Sequence, residues 1–216
     1  MENRRKFYSS CRDPQMTLWS NDTLPQRYDH IKGVINAYFS GILNKEDLLF
    51  AIKNAFVSKI YISVDAKKVL DTKNLGNLQN LYNHLVEYGV LDLQDKIHTK
   101  HSSVLSPYFD ICKLGDRKLG VSIEHVVPGN VYVDDALNGS FDFKRFQDIF
   151  NNVSICIVAC TQARDLDKKL RNMMPIDKTT NQPIDYKLKP FARYDDKLNG
   201  NNVLIHNQTI VGGTII

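Results

Sequence analysis

The stretch Val153-Ser154-Ile155-Cys156-Ile157-Val158-Ala159 constrains the fold most. It is short, apolar and rich in β-branched residues, so it reads as a buried strand. Thr161 to Met173 follows with helical character, Thr161 as a plausible cap and Pro175 just beyond the end. Ahead of it, Lys118 to Pro128 reads as a strand that stops at Pro128-Gly129, and Phe141 to Phe150 reads as a helix. The order is strand, loop and insert, strand, helix.

The preceding half is mostly helical in pattern. Pro25 to about Phe39 reads as a first helix, with proline in the first turn, where a missing N–H costs nothing. Lys45 to about Ser58 reads as a second, capped by Asn44, with Glu46 and Asp47 at its positive start and Leu48, Leu49, Ile52, Ala55 and Phe56 on one face. Ser63 or Asp65 begins a short third helix through Leu70. Asn74 caps a stronger one carrying Leu75, Leu78, Leu81 and Leu85, stopped by Gly89, and Val90 to Leu93 is short enough for a strand. Winged-helix domains show such a pattern, and so do many other helical modules. The fold class expected is α+β, with a mainly helical region over residues 1–105 and a separate region over 106–216 that holds the chemistry.

A chain of 216 residues with 43% hydrophobic and 24% charged residues can bury an ordinary core. No apolar run approaches bilayer length, so no membrane span is expected. The charged start Met1-Glu2-Asn3-Arg4-Arg5-Lys6 is followed by no apolar signal core, which argues against secretion. Cys11, Cys112, Cys156 and Cys160 include no C-x-x-C pair, so a structural zinc site is not expected and a reducing cytoplasm fits best. The net charge of +4 is mild, but Arg164, Lys168, Lys169, Arg171, Lys178, Lys187, Lys189 and Arg193 outnumber Asp165, Asp167, Asp177 and Asp185. A local excess of base suits a phosphate backbone, and it also suits a solvated helix face. No Walker A loop, G-x-G-x-x-G or G-x-S-x-G elbow is present, so nucleotide-driven work, Rossmann cofactors and serine hydrolysis of that kind are unsupported.

The residues that carry chemistry are Ser122-Ile123-Glu124-His125-Val126-Val127-Pro128. Neighbours on a strand point to opposite faces, but a bend toward the proline at the strand end could let both Glu124 and His125 approach one site. A neutral histidine can take a proton from water near pH 7, and a carboxylate-held divalent cation can neutralise a leaving oxygen. A lone Glu-His pair is also ordinary scaffolding.

With the strand Val153 to Ala159 and the helix from Thr161, the run Glu124-His125-Val126-Val127-Pro128 resembles the HNH, or ββα-metal, nuclease family over roughly the last hundred residues. Leu170-Arg171-Asn172-Met173-Met174-Pro175 and Pro190-Phe191-Ala192-Arg193-Tyr194 resemble the tail of a restriction-type subgroup. The resemblance implies a ββα-metal core, with His125 as general base, Glu124 as a catalytic metal ligand, and Mg²⁺ (or Mn²⁺) as the cofactor. The usual Asn or His on the helix is not evident. Asp165 and Asp167 stand there and point to different faces; Asp165 is the ligand expected, with Asn172 a further candidate. Lys168, Lys169, Arg171 and Arg193 are the expected DNA contacts, though Arg193 could instead pair with Asp195 or Asp196. Asp134 and Asp135 read as turn or cap residues.

The function expected is sequence-specific, restriction-type hydrolysis of double-stranded DNA, with a homodimer attractive for cutting both strands of a symmetric site. A noncatalytic DNA-binding regulator is the alternative, needing neither metal nor His125. A third reading, an interaction protein, draws on the apolar tail Ile210 to Ile216, which could form an edge strand at a subunit contact or complete the chain's own sheet.

Overall fold

A computed structural model describes residues 24–52, 55–57, 59–72, 121–195, 203–206, 210–211 and 214–215. Helices α1 (Leu24–Phe39) and α2 (Lys45–Ile52) come first. Strand β1 (Lys59–Ile62) and helix α3 (Val64–Thr72) follow. Then come β2 (Val121–His125), α4 (Gly129–Leu137), α5 (Phe143–Asn152), β3 (Ser154–Ala159) and α6 (Cys160–Leu170). A 3-10 turn (Pro190–Tyr194) and two short strands, β4 (Ile210–Val211) and β5 (Thr214–Ile215), complete the described elements. The mixture of helices and strands is the α+β class expected. The helix Asn74 to Gly89 and the strand Val90 to Leu93 lie outside the described residues.

Local chemistry explains most of the boundaries. Asn44 caps α2 by accepting from the Asp47 N–H at 2.8 Å, and Ser63 caps α3 by accepting from the Ala66 N–H at 3.0 Å. At the end of α1, Gly41 adopts φ +73°, a conformation open to glycine without a Cβ penalty. Asp142 caps α5 through the Arg145 N–H at 2.8 Å. For α6 the cap is not Thr161: the Gln162 side chain reaches back and accepts from the Ala159 N–H at 3.0 Å.

Two expectations are corrected. The second helix ends at Ile52 rather than Ser58, because the chain turns at 55–57 and enters β1, an unanticipated strand. Residues 129–137 are helix α4 rather than a loop, so Asp134 and Asp135 are helical residues, not turn or cap residues.

The sheet order is β2-β3-β1-β4-β5. Strand β3 pairs antiparallel with β2 and parallel with β1, and every residue of it is buried. The tail pairs within the chain's own sheet, β4 on β1 and β5 on β4. The expected boundary near residue 105 lies outside the described residues, and strands from both sides of it share this one sheet. Ile60, Ile62, Val121, Ile155 and Ile157 belong to a large apolar cluster with residues of α1 to α5. Val126, Cys156 and Val158 belong to a smaller cluster with Ala163 and Leu166 of α6, Tyr194 and Val203. Among the described residues no helix is long and apolar enough to cross a membrane.

Candidate functional site

The register places Glu124 opposite Cys156, which stands opposite Tyr61, so the three form a row across β2, β3 and β1. Cys156 belongs to the α6 side of the sheet, and strand alternation puts Glu124 on that side too. Helix α6 lies against this row. Its buried positions Ala163, Leu166 and Leu170 define the stripe facing the sheet, and Asp167 falls beside that stripe at i+4 from Ala163. Asp165 falls on the outer surface, where it accepts a long 3.4 Å contact from Lys168.

Glu124 is therefore the centre of a charged group. Its carboxyl is raised to about 7, chiefly by burial and next by the Asp167 carboxylate. Arg193, a 3.4 Å hydrogen bond from the Ser122 hydroxyl, and Arg171 pull the other way without overcoming burial. Within the row, the Cys156 thiol is raised by burial, and the Tyr194 hydroxyl beside it likewise, so neither ionises near neutrality. Cys156 is a buried free thiol, and Cys160 is half-buried.

His125 ends β2 and is half-buried. Its ring centroid lies 6.3 Å from that of Tyr132 on α4. The bend expected to bring His125 onto the same face as Glu124 comes too late, because alternation continues past the strand. Val126 packs in the α6-side cluster and Val127 in the opposite one. The two side chains instead emerge from opposite faces of one strand end, at one edge of the sheet formed by the described residues.

Arg193 is buried at 2% exposure rather than displayed to solvent. Its Nη1 donates to the His125 carbonyl oxygen at 2.7 Å. The arginine thus ties the 3-10 turn to the backbone just after His125 and sets a positive charge near Glu124. Among the other expected DNA contacts, Lys168 and Arg171 are exposed, and Lys169 lies on α6. Asn172, the further ligand candidate, is exposed, and its carbonyl accepts from Asn130 Nδ2 at 2.6 Å.

Sequence reasoning missed the arrangement around Asp135. This carboxylate accepts from Tyr186 Oη at 2.6 Å and Arg145 Nη2 at 2.9 Å, and pairs with Lys187 Nζ at 2.7 Å. Burial works against its charge, but Lys187, Tyr186 and Arg145 together hold its carboxyl below the usual range. The partners come from α4, α5 and the segment before the 3-10 turn, separations that no short motif signals.

Oxygen donors of the Glu124 and Asp167 type suit Mg²⁺, which takes one or two carboxylates and completes its shell with water and substrate phosphate. No set of three or more His, Cys, Asp or Glu residues able to hold a metal converges among the described residues. The Asp167 carboxylate does raise the Glu124 carboxyl, and a cation beside Glu124 would offset that effect. Comparison with family models, with curated proteins and with solved structures gives no match.

Proposed function

We propose that this chain is a metal-dependent, restriction-type endonuclease that hydrolyses phosphodiester bonds of double-stranded DNA. The observation that carries the reading is the setting of Glu124: a half-buried carboxylate near the end of β2, close enough to the Asp167 carboxylate of α6 and to Arg193 and Arg171 for their charges to act on it. An antiparallel strand pair followed directly by a helix is the order that a ββα-metal core requires, and β2, β3 and α6 provide it, with α4 and α5 inserted between the strands. Perturbed carboxylates of this kind concentrate at functional sites, although structural ion pairs also produce them.

The roles follow from position. Glu124 and Asp167 hold the divalent cation, Mg²⁺ or Mn²⁺. When bound, the cation supplies positive charge for the phosphate and the leaving oxygen. His125, adjacent on the strand, takes the proton from the attacking water. Among the described residues β2 lies at the sheet edge, and a backbone laid across that edge meets both faces of the strand end. Arg193 fixes the His125 carbonyl and so the orientation of the strand end. Arg171, exposed and close enough to Glu124 to act on its charge, faces the phosphates. Two copies of the chain would place two such sites on a symmetric duplex.

The test is incubation of a long mixed-sequence duplex with Mg²⁺, Mn²⁺ or EDTA, beside His125→Ala, Asp165→Asn and Asp167→Asn. Metal-dependent discrete fragments are expected. His125→Ala should lose roughly 10²- to 10⁴-fold in rate, as for removal of a general base. Asp167→Asn should fall similarly, and Asp165→Asn should cut normally. A protein that shifts DNA on a gel but never cuts it would replace this reading with a noncatalytic regulator.

A further inference from the structure

The segment after α6 forms a tight hairpin. Ile176 bridges Pro183 in antiparallel fashion, the Asp177 N–H donates to the Gln182 carbonyl at 2.8 Å, and the Ile184 N–H donates to the Pro175 carbonyl at 2.8 Å. Its tip is braced from within. The Asp177 carboxylate accepts from the Thr179 and Thr180 N–H groups at 2.7 and 3.1 Å, and the Asn181 N–H donates to the Asp177 carbonyl at 2.8 Å. The hairpin is also anchored to the body. Asn130 holds Asn172 before it, and Asp135 grips Tyr186 and Lys187 after it.

What this braced loop presents is polar, with Lys178 beside Asp177 at the tip and Lys189 near Asp185 at the base. Lys178, Thr179, Thr180, Asn181 and Gln182 are all exposed, and Lys189 is exposed at its base. The acids nearby are occupied locally: Asp177 in the turn, and Asp185 accepting from the Lys187 N–H at 2.9 Å. The side-chain amides of Asn181 and Gln182 make no hydrogen bond among the described residues. Asn181 holds φ +55°, which turns its side chain out of the ribbon and which asparagine tolerates better than most residues. A rigid pair of free amides, flanked by lysines, serves no packing purpose.

We propose that the hairpin 176–183 reads the major groove of duplex DNA, with Asn181 and Gln182 hydrogen-bonding adenine edges and Lys178 and Lys189 holding phosphates. The inference rests on the DNA-cleaving reading above for its ligand, but not on the chemistry of cutting. The major groove admits a two-stranded ribbon, and asparagine and glutamine amides match the N6 donor and N7 acceptor of adenine. Lysines beside such a ribbon set its register without choosing sequence. Arg171, between the end of α6 and the hairpin, continues the cationic path toward Glu124.

The experiment is selection of a random-sequence duplex pool with Ca²⁺ in place of Mg²⁺, followed by affinity measurements on the selected duplex and a scrambled one. The variants are Asn181→Gly with Gln182→Ala, and Lys178→Ala; glycine keeps the left-handed backbone at 181, and thermal melts check folding. Wild type should select a sequence containing A·T pairs, and replacing its adenines with 7-deaza-adenine should weaken binding. The double variant should lose about tenfold of the preference for the selected duplex while keeping its affinity for the scrambled one. Lys178→Ala should weaken both duplexes alike and lower the salt slope by about one. A folded double variant with the wild-type preference would overturn the inference, as would wild type that selects nothing. Cleavage in Mg²⁺ separates the two proposals. Preference lost with the hairpin variant but no cutting by wild type leaves the inference standing and removes the nuclease. Cutting with an unchanged site in the variant does the reverse.

Discussion

The two faces of the sheet differ in what they bury. On the face covered by α1, α2, α4 and α5, Phe56 packs against Tyr132 and Phe146 with centroid separations of 5.7 and 6.0 Å, and Tyr28 packs against Phe146 at 6.0 Å. On the α6 face the apolar cluster around Cys156 and Tyr194 is much smaller, and the half-buried Glu124 stands on that side with the Arg193 charge near it. Burying apolar area stabilises a fold, whereas burying a carboxylate costs free energy unless charge and hydrogen bonds compensate. Apolar burial is concentrated on one face, and the raised Glu124 carboxyl is held on the other at some cost, while His125 emerges on the aromatic face beside Tyr132. Active sites are where such locally unfavourable arrangements are expected.

The largest break in this comparison comes from Phe146→Ala. Phe146 is fully buried among four aromatic neighbours, so its loss should destabilise the chain by about 3–5 kcal/mol in urea unfolding. A change under 1 kcal/mol would mean that the aromatic face is not the stabilising one.

The next effect is the pH dependence carried by Glu124. Its carboxyl titrates at about 7 in the folded chain against 4.5 for the ordinary group. Between those values the unfolded chain has released a proton that the folded chain keeps. Stability should therefore be highest below the lower value, fall as pH rises through the window, and level off above the upper one. The full drop is roughly 3 kcal/mol. Glu124→Gln, which cannot ionise, should flatten this part of the profile and unfold at higher urea than wild type at pH 8. Parallel profiles for the two proteins would show that Glu124 is not strained.

Tyr186→Phe removes one hydrogen bond from Asp135 but leaves Arg145 and Lys187 in place. It should cost about 1 kcal/mol and loosen the segment before the 3-10 turn, seen as faster amide exchange in residues 184–189. The smallest effect belongs to Lys168→Ala. Its pair with Asp165 is exposed and long at 3.4 Å, so unfolding should shift by no more than about 0.5 kcal/mol. If the α6 face meets DNA, the same substitution should lower duplex affinity in a salt-dependent way that the stability measurement would not reveal.

Much of the local structure was legible. The buried strand β3, helix α1, the caps at Asn44 and Ser63, and the place of Glu124 and His125 at a strand end all follow from short-range pattern. Strand β1 was not legible, because four residues of alternation between two helices carry almost no periodic signal. Helix α4 was hidden by Pro128-Gly129-Asn130, which reads as a turn, although a proline just before a helix is equally at home as its start. Which of Asp165 and Asp167 lies nearer the sheet was legible, although both are exposed. The stripe Ala163, Leu166, Leu170 fixes the phase of α6, and Asp167 completes its i, i+3, i+4, i+7 spacing.

The sequence by itself determined which residues prefer strand or helix, where most helices begin, and which adjacent pair could carry acid–base chemistry, because these depend on propensities and contacts within a few positions. Only the tertiary structure decided the rest. It placed β1 beside β3, brought Arg193 beneath the backbone of His125, closed Asp135 on partners 10 to 52 positions away, and set Glu124 and His125 on opposite faces of an edge strand. Those outcomes depend on which faces pack together, and packing couples residues that local preference cannot see.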